Sequence, residues 1–223
     1  MAQTTQSVHS DVLDRVRKAP YATLGQASLA CLPAFLDGYK SGSGRAARAN
    51  DLDPRLGRFS EWVAEKLGRR SLSVSGVWMI RLESEDETRA LERYFELWDE
   101  YTSLVEPVPV ADTVPPPVLP VVDFRQLLVS IRRRPAMYLG HSSVTLLRAF
   151  LQGYVTALQD AGRSTDEVPD LDRFSRWLCA RYGLRDGYRW DRLLLTFHSD
   201  EAKALEEFFK LLDEFEAGMD PSR

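Results

Sequence analysis

The sequence predicts a mostly helical α+β protein that consists of a tandem repeat of two similar small domains. Three observations indicate this. Residues recur at a constant offset of 115, apolar residues recur at spacings of three and four, and one short apolar run near the end of each copy is typical of a strand. We expect about four helices and one or two short strands per domain, with the domains related by a pseudo-twofold axis.

The repeat is visible as identical or similar motifs along the whole chain. Gly38-Tyr39 recurs as Gly153-Tyr154, and both copies contain an RFS-x-W motif that ends at Trp62 or Trp177. At this offset Trp190 aligns with Ser75 and Trp78 aligns with Leu193, and one residue is lost after Ser199. Copies of about 95 residues are too long for solenoid units and suit small domains.

A proline-rich stretch separates the two copies. Proline cannot continue a helix and favours an extended spacer. We therefore divide the chain into a flexible N-terminus (1–10), domain 1 (11–105, copy 1), a linker (106–122), domain 2 (123–217, copy 2) and a tail (218–223).

Three helices are expected in the first two thirds of each copy. The first ends at a proline, the second runs over roughly 27–40 and 142–158, and the third carries a Phe and a Trp. The apolar residues of the first and third helices are Val12, Leu13, Val16, Phe59 and Trp62 in copy 1, and Leu127, Leu128, Ile131, Phe174 and Trp177 in copy 2.

A strand and a final helix are expected to follow. VWMIRL (77–82) and RLLLTF (192–197) have the length and flanking residues of strands. Ser84 or Ser199 would cap the last helix. A single strand needs a partner, so we expect the copies to pair their strands, or Met137–Leu139 to supply the partner within one copy.

Composition excludes several classes of function. The formal net charge is −4 with acids and bases interleaved, so nucleic acid is an unlikely partner. No stretch has the apolar length of a secretory signal or a membrane span, and we expect a cytoplasmic protein with no membrane association. Cys31 and Cys179 are expected to be reduced cysteines on helix faces.

No catalytic or metal-binding constellation is visible. G-x-S-x-G, P-loop and Cys-His motifs are missing from the sequence, and the three histidines, at 9, 141 and 198, have no Cys, Asp or Glu at ligand spacing. The acid pairs Asp99-Glu100 and Asp213-Glu214 are expected on a solvated helix face. We expect no catalytic residue, no metal, no cofactor and no enzymatic activity.

The stretch RRRPAMYLG at 132–140 has two interpretations. It can be the joint between two helices, because Pro135 ends the first helix and Gly140 allows a tight entry into the second. It can also bind a partner or an anion, because Arg and Tyr are enriched at binding hot spots and helix N-termini attract anions. The candidate binding residues are Arg132, Arg133, Arg134, Tyr138 and His141.

RPAMYLG (134–140) also resembles RPGMYIG, which begins the ATP-binding domain of DNA gyrase B-type ATPases. That family needs a following helix with a Glu and a D-N pair to activate water and hold magnesium. Here SSVTLLRAFLQGYVTAL follows, the first acid is Asp160, and no D-x-G-x-G succeeds it. We treat the likeness as coincidental and expect no ATP hydrolysis.

The pattern RPxMYLG, FLxGY and FSxW in copy 2 resembles small uncharacterised bacterial proteins, some of them from toxin–immunity systems. The resemblance implies a cytosolic module that binds a partner protein, such as an immunity or inhibitor protein. Copy 1 lacks the Met-Tyr pair of this pattern. The alternatives are phosphate, nucleotide or nucleic-acid binding through Arg132–Arg134, and an enzyme of an unrecognised type.

Overall fold

The computed structural model describes residues 8–43, 55–68, 75–106 and 123–218. Twelve α-helices and no strand lie in these ranges, so the predicted α+β class is wrong and the described protein is all-helical. The helices are α1 (Val8–Lys18), α2 (Pro20–Leu24), α3 (Cys31–Ser43), α4 (Leu56–Lys66), α5 (Gly76–Glu83), α6 (Glu87–Leu104), α7 (Phe124–Arg133), α8 (Pro135–Leu139), α9 (Val144–Asp160), α10 (Leu171–Arg181), α11 (Trp190–Phe197) and α12 (Glu201–Gly218).

Both predicted strands are short helices. VWMIRL lies in α5 and RLLLTF lies in α11, and the segment Met137–Leu139 is helical in α8. The buried positions of α11 are Trp190, Leu193 and Leu194, at helical spacings of three and four. A helix satisfies its own backbone groups, so the expected strand pairing between the copies is not needed.

The two copies meet where α3 crosses α9, and glycine makes that crossing possible. A Cβ placed on Gly38 would lie 1.9 Å from the carbonyl oxygen of Phe150, and one on Gly153 would lie 2.0 Å from that of Phe35. Both distances are far below van der Waals contact, so the two backbones touch directly. Only glycine allows so close an approach.

The buried apolar residues of both copies form one continuous cluster around this crossing. Its largest fully buried side chains include Phe35 and Phe150, and Phe174 and Phe208 extend it toward α10 and α12. The pseudo-twofold axis stays a prediction. Most of the predicted N-terminal segment, linker and tail lies outside the described residues.

The last helix of each copy is capped by Asp rather than by the predicted Ser. Asp86 accepts from the N–H of Arg89, and Asp200 accepts from the N–H of Lys203, each at 2.8 Å. Ser84 instead donates its hydroxyl to the carbonyl of Ile80. A side-chain carboxylate is as good an N-cap as a hydroxyl, and here it lies one residue before each helix.

A glutamate at the start of each final helix joins it to the central pair. Glu201 accepts from the Ser143 hydroxyl and from the N–H of Thr145, at the start of α9. Glu87 accepts in the same way from Ser28 and from the N–H of Ala30. Burial opposes the charge on Glu87, but these hydrogen bonds and Arg81 outweigh it and lower its pKa.

The serine of each RFS-x-W motif corrects the alignment of the copies. Ser60 accepts from the N–H of Gly76 at 2.7 Å, and Ser175 accepts from the N–H of Trp190 at 3.1 Å. Gly76 is therefore the counterpart of Trp190, at an offset of 114. The residue is lost before α11 rather than after Ser199, because the connection from α10 to α11 is one residue shorter than that from α4 to α5.

Candidate binding surface

Arg132, the first of the predicted site residues, is engaged within the fold. It lies in the last turn of α7, forms a 2.8 Å ion pair with Asp213, and its guanidinium lies 5.6 Å from the ring centre of Phe209. Copy 1 contains the same arrangement. Arg17 pairs with Asp99 at 2.7 Å, donates to the carbonyl of Phe95 and lies over its ring.

The recurring acid pairs are therefore ties between helices. Asp99 and Asp213 hold the arginine of the first helix of each copy. Glu100 pairs with Lys66, and Glu214 pairs with Arg181 at 2.9 Å, which joins α6 to α4 and α12 to α10. Each of these four carboxylates therefore pairs with a basic side chain of another helix.

Arg133 and Arg134 are placed differently from Arg132. Both are exposed, and within the described parts of the chain neither guanidinium has a hydrogen-bond or ion-pair partner. Their copy 1 counterparts are Lys18 and Ala19, so copy 1 has one cation fewer here. These arginines are available to a ligand, whereas Arg132 is already bound to Asp213.

The remaining candidates lie on α8 and the turn after it. Tyr138 is half-buried and packs against the core, and His141 is exposed. Met137, which no sequence motif singles out as a binding residue, is 70% exposed on the same short helix as Tyr138. The turn itself needs Gly140, whose φ of +85° suits glycine, and Ser143 caps α9 by accepting from the N–H of Leu146. The interpretation of this stretch as a joint between two helices therefore accounts for its backbone conformation.

A groove runs between the joint and α12. It encloses about 420 Å3, and Arg132, Pro135, Leu205, Glu206 and Phe209 are among the residues that line it. Copy 1 has an equivalent groove of about 390 Å3, formed by the matching residues Arg17, Pro20, Leu91, Glu92 and Phe95. The groove belongs to both copies, whereas the exposed Arg134 and Met137 of the adjoining segment are replaced by Ala19 and Ala22 in copy 1.

A charge cluster that no sequence motif predicts lies around the buried Asp191. Asp191, only 3% exposed, accepts two hydrogen bonds from Arg189, at 3.0 and 2.6 Å, and lies 3.8 Å from Arg148. Burial and the like charge of Arg189 lower the pKa of Arg148. Arg148 Nη1 is buried without a hydrogen-bond partner in the described structure, against Gly25 of copy 1.

This cluster joins the two copies, and its Arg189 side chain is 40% exposed. Arg189 also donates to the carbonyl of Gly25, at 3.4 Å. The sequence spacing does not reveal this cluster, because Asp191 and Arg148 are 43 positions apart and neither position is charged in copy 1, where Val77 and Pro33 stand at the matching places.

Neither a metal site nor a membrane span is found within the described ranges: they contain no group of His, Cys, Asp and Glu side chains suited to a metal ion, and no helix that is long and apolar enough to cross a bilayer. Cys31 and Cys179 are both buried and free. No family model, no curated protein and no solved structure matches the chain.

Proposed function

We propose that the chain is a non-enzymatic module that binds a partner protein through the joint of copy 2. The binding surface consists of Arg133, Arg134 and Met137 with the adjacent groove over Phe209. One observation carries the proposal: two exposed arginines without partners in the described structure precede, by three and four residues, a methionine that is 70% exposed. At the matching positions copy 1 has Lys18, Ala19 and Ala22, and its exposed side chain in this segment is Tyr21.

The chemistry of this surface suits a protein partner. Arg and Met are enriched in protein interfaces, and an arginine without an internal partner can form charge-assisted hydrogen bonds with carboxylates. The groove adds the apolar and aromatic side chains of Leu205 and Phe209. We therefore propose a partner that presents acidic side chains around an apolar residue, with the chain acting in the cytoplasm as an immunity or inhibitor protein.

Phosphate or nucleotide binding by the same arginines is the second candidate function. Unpaired guanidinium groups bind phosphate as well as carboxylate. The ion pair of Arg132 with Asp213 weakens this alternative, because it leaves two arginines rather than three and places a carboxylate beside them. Phosphate binding would also give the exposed Met137 no role.

The test is affinity capture from the native lysate with the whole chain, read by mass spectrometry. The Arg133→Glu/Arg134→Glu variant and the Met137→Ala variant are compared with Lys18→Glu, which reverses a charge at the matching place in copy 1. We expect one dominant protein, captured by the wild type and by Lys18→Glu. Because hot-spot residues contribute about 2 kcal/mol or more, its affinity should fall roughly 30-fold in the double variant.

The outcomes separate the two candidates. Equal capture by the wild type and by both copy 2 variants would reject this surface. If nucleotide or nucleic acid is captured instead, and Met137→Ala retains it while the charge reversal releases it, the phosphate alternative holds.

A further inference from the structure

The fifth helices of the two copies, α5 and α11, differ at their first residue, which is buried in both. In copy 2, Trp190 is buried and its ring lies 4.6 Å from that of Phe208. In copy 1 the counterpart of Trp190 is Gly76, and the counterpart of Phe208 is Tyr94. Copy 1 therefore has no side chain that corresponds to the indole of Trp190, which packs against Phe208 in copy 2.

A cavity that Gly76 helps to line is present in copy 1. It encloses about 350 Å3 between α3, α4, α5 and α6 and is lined mainly by apolar groups. Its walls include Leu32, Phe59, Val63 and Tyr94. Their counterparts in copy 2 are Leu147, Phe174, Leu178 and Phe208, which are buried in the same core as Trp190, and Phe208 contacts its ring.

The ring contacts show what is missing. Phe208 makes an edge contact with Phe174, a second with Phe209, and a third contact with the indole of Trp190. Tyr94 makes the equivalents of the first two, with Phe59 and Phe95. Within the described part of the chain, no ring takes the place of the third.

We propose that this space, the Gly76 cavity, is a binding site for a small molecule that carries a planar aromatic ring of indole size. A volume of 350 Å3 lies within the range of small-molecule sites, roughly 300–1,000 Å3. An aromatic ring placed against Tyr94 would restore the contact that Trp190 makes with Phe208, and aromatic pairs add to the burial of apolar area.

The residues at the mouth of the cavity determine which substituent the bound ring can carry. Asp37 and Lys40 are among its lining residues, form a 3.0 Å ion pair and are both more than half exposed. A polar or charged substituent on the ring can remain at this mouth, in contact with water and with either charge. The bound molecule is then amphipathic, with its ring inside the cavity and its polar group outside it.

The test uses indole as the probe and the full chain as the receptor. Isothermal titration should show one saturable site per chain with a dissociation constant of about 1 mM or lower, as expected for a small ring in a preformed apolar site. The filling variant is Leu36→Trp, because Leu36 is partly buried and lines the cavity. Gly76→Trp is unsuitable, since a Cβ there would lie 2.8 Å from the carbonyl oxygen of Ser60.

The matched control is Leu82→Trp, which adds the same side chain on α5 at a position that is 74% exposed and outside the cavity. We expect indole to bind Leu82→Trp as it binds the wild type, and Leu36→Trp at least tenfold more weakly. Circular dichroism checks that both variants are folded. Absence of saturable binding to the wild type, or equal binding to a folded Leu36→Trp, overturns the proposal.

Discussion

Replacing Gly153 with alanine adds one methyl group at the point where α9 crosses α3. The new Cβ would lie 2.0 Å from the carbonyl oxygen of Phe35 and 2.9 Å from the backbone nitrogen of Tyr39. Ordinary contact begins at 3.4 Å, so the helices must separate by more than an ångström. The obstacle is backbone, which cannot rotate away as a side chain can.

Two opposing terms set the size of the effect. Alanine favours the helix by about 1 kcal/mol over glycine, whereas overpacking in a core costs about 1–3 kcal/mol and more where backbones must move. The separation also loosens Phe35 and Phe150, which are fully buried at the crossing. We expect a net loss of about 2 kcal/mol in the free energy of unfolding, or a fall in Tm of about 4–8 °C for a chain of this size.

The assay is thermal and guanidinium unfolding followed by circular dichroism at the helical band. Gly57→Ala is the matched control, because Gly57 is exposed in α4 and no atom lies within 4 Å of its added Cβ. That variant should gain up to about 1 kcal/mol from helix propensity alone. If Gly153→Ala is as stable as the wild type, the direct backbone contact does not exist and the crossing is wrongly described.

Three further predictions concern stability. Asp191→Ala should lower the free energy of unfolding by about 3 kcal/mol, measured by guanidinium titration. This value is at the low end for a broken buried ion pair, because Arg189 can turn to solvent. An unchanged unfolding midpoint would show that Asp191 does not pair with the two arginines. Trp190→Ala should cost about 3–5 kcal/mol in the same titration, through the cavity it leaves; a loss below that range would mean that α11 collapses into the space. Because the pKa of Glu87 is lowered from its usual 4.5 in the folded protein, its contribution is present above pH 4.5 and is lost as pH falls below it. Glu87→Gln should make Tm less dependent on pH in the acid range. If Tm falls with pH in the variant as it does in the wild type, the Glu87 carboxylate does not stabilise the start of α3.

The periodicity of apolar residues predicted the long helices, but it did not identify the short helices α5 and α11. The last helix of each copy was evident because Leu205, Phe208, Leu212 and Phe215 lie at helical spacings, and it is helical over its whole predicted length. Six-residue apolar runs carry too few residues to separate a strand from a buried helix, and α11 shows its helical spacing only when Trp190 is counted with the run.

The sequence was less informative about contacts. The recurrence of Gly38 at Gly153 is visible in the sequence, but a glycine within a helix does not indicate which other backbone packs against it. At the candidate surface the arginine that both copies share proved to be tied to Asp213, whereas Arg133 and Arg134 differ between the copies and are free of such ties. Exposure of Met137 depends on the path of α8, which spacing alone does not fix.

The crossing of α3 and α9 has a consequence for how the chain folds. Its two helices lie about 115 residues apart, so the contact that completes the core closes a very long loop and forms late relative to local helix pairs. During synthesis, copy 1 leaves the ribosome with the glycine face of α3 uncovered until α9 follows. Maturation of the whole molecule therefore depends on the emergence of its second half, and a chain truncated before α9 would be a substrate for chaperones and proteases rather than a smaller working protein.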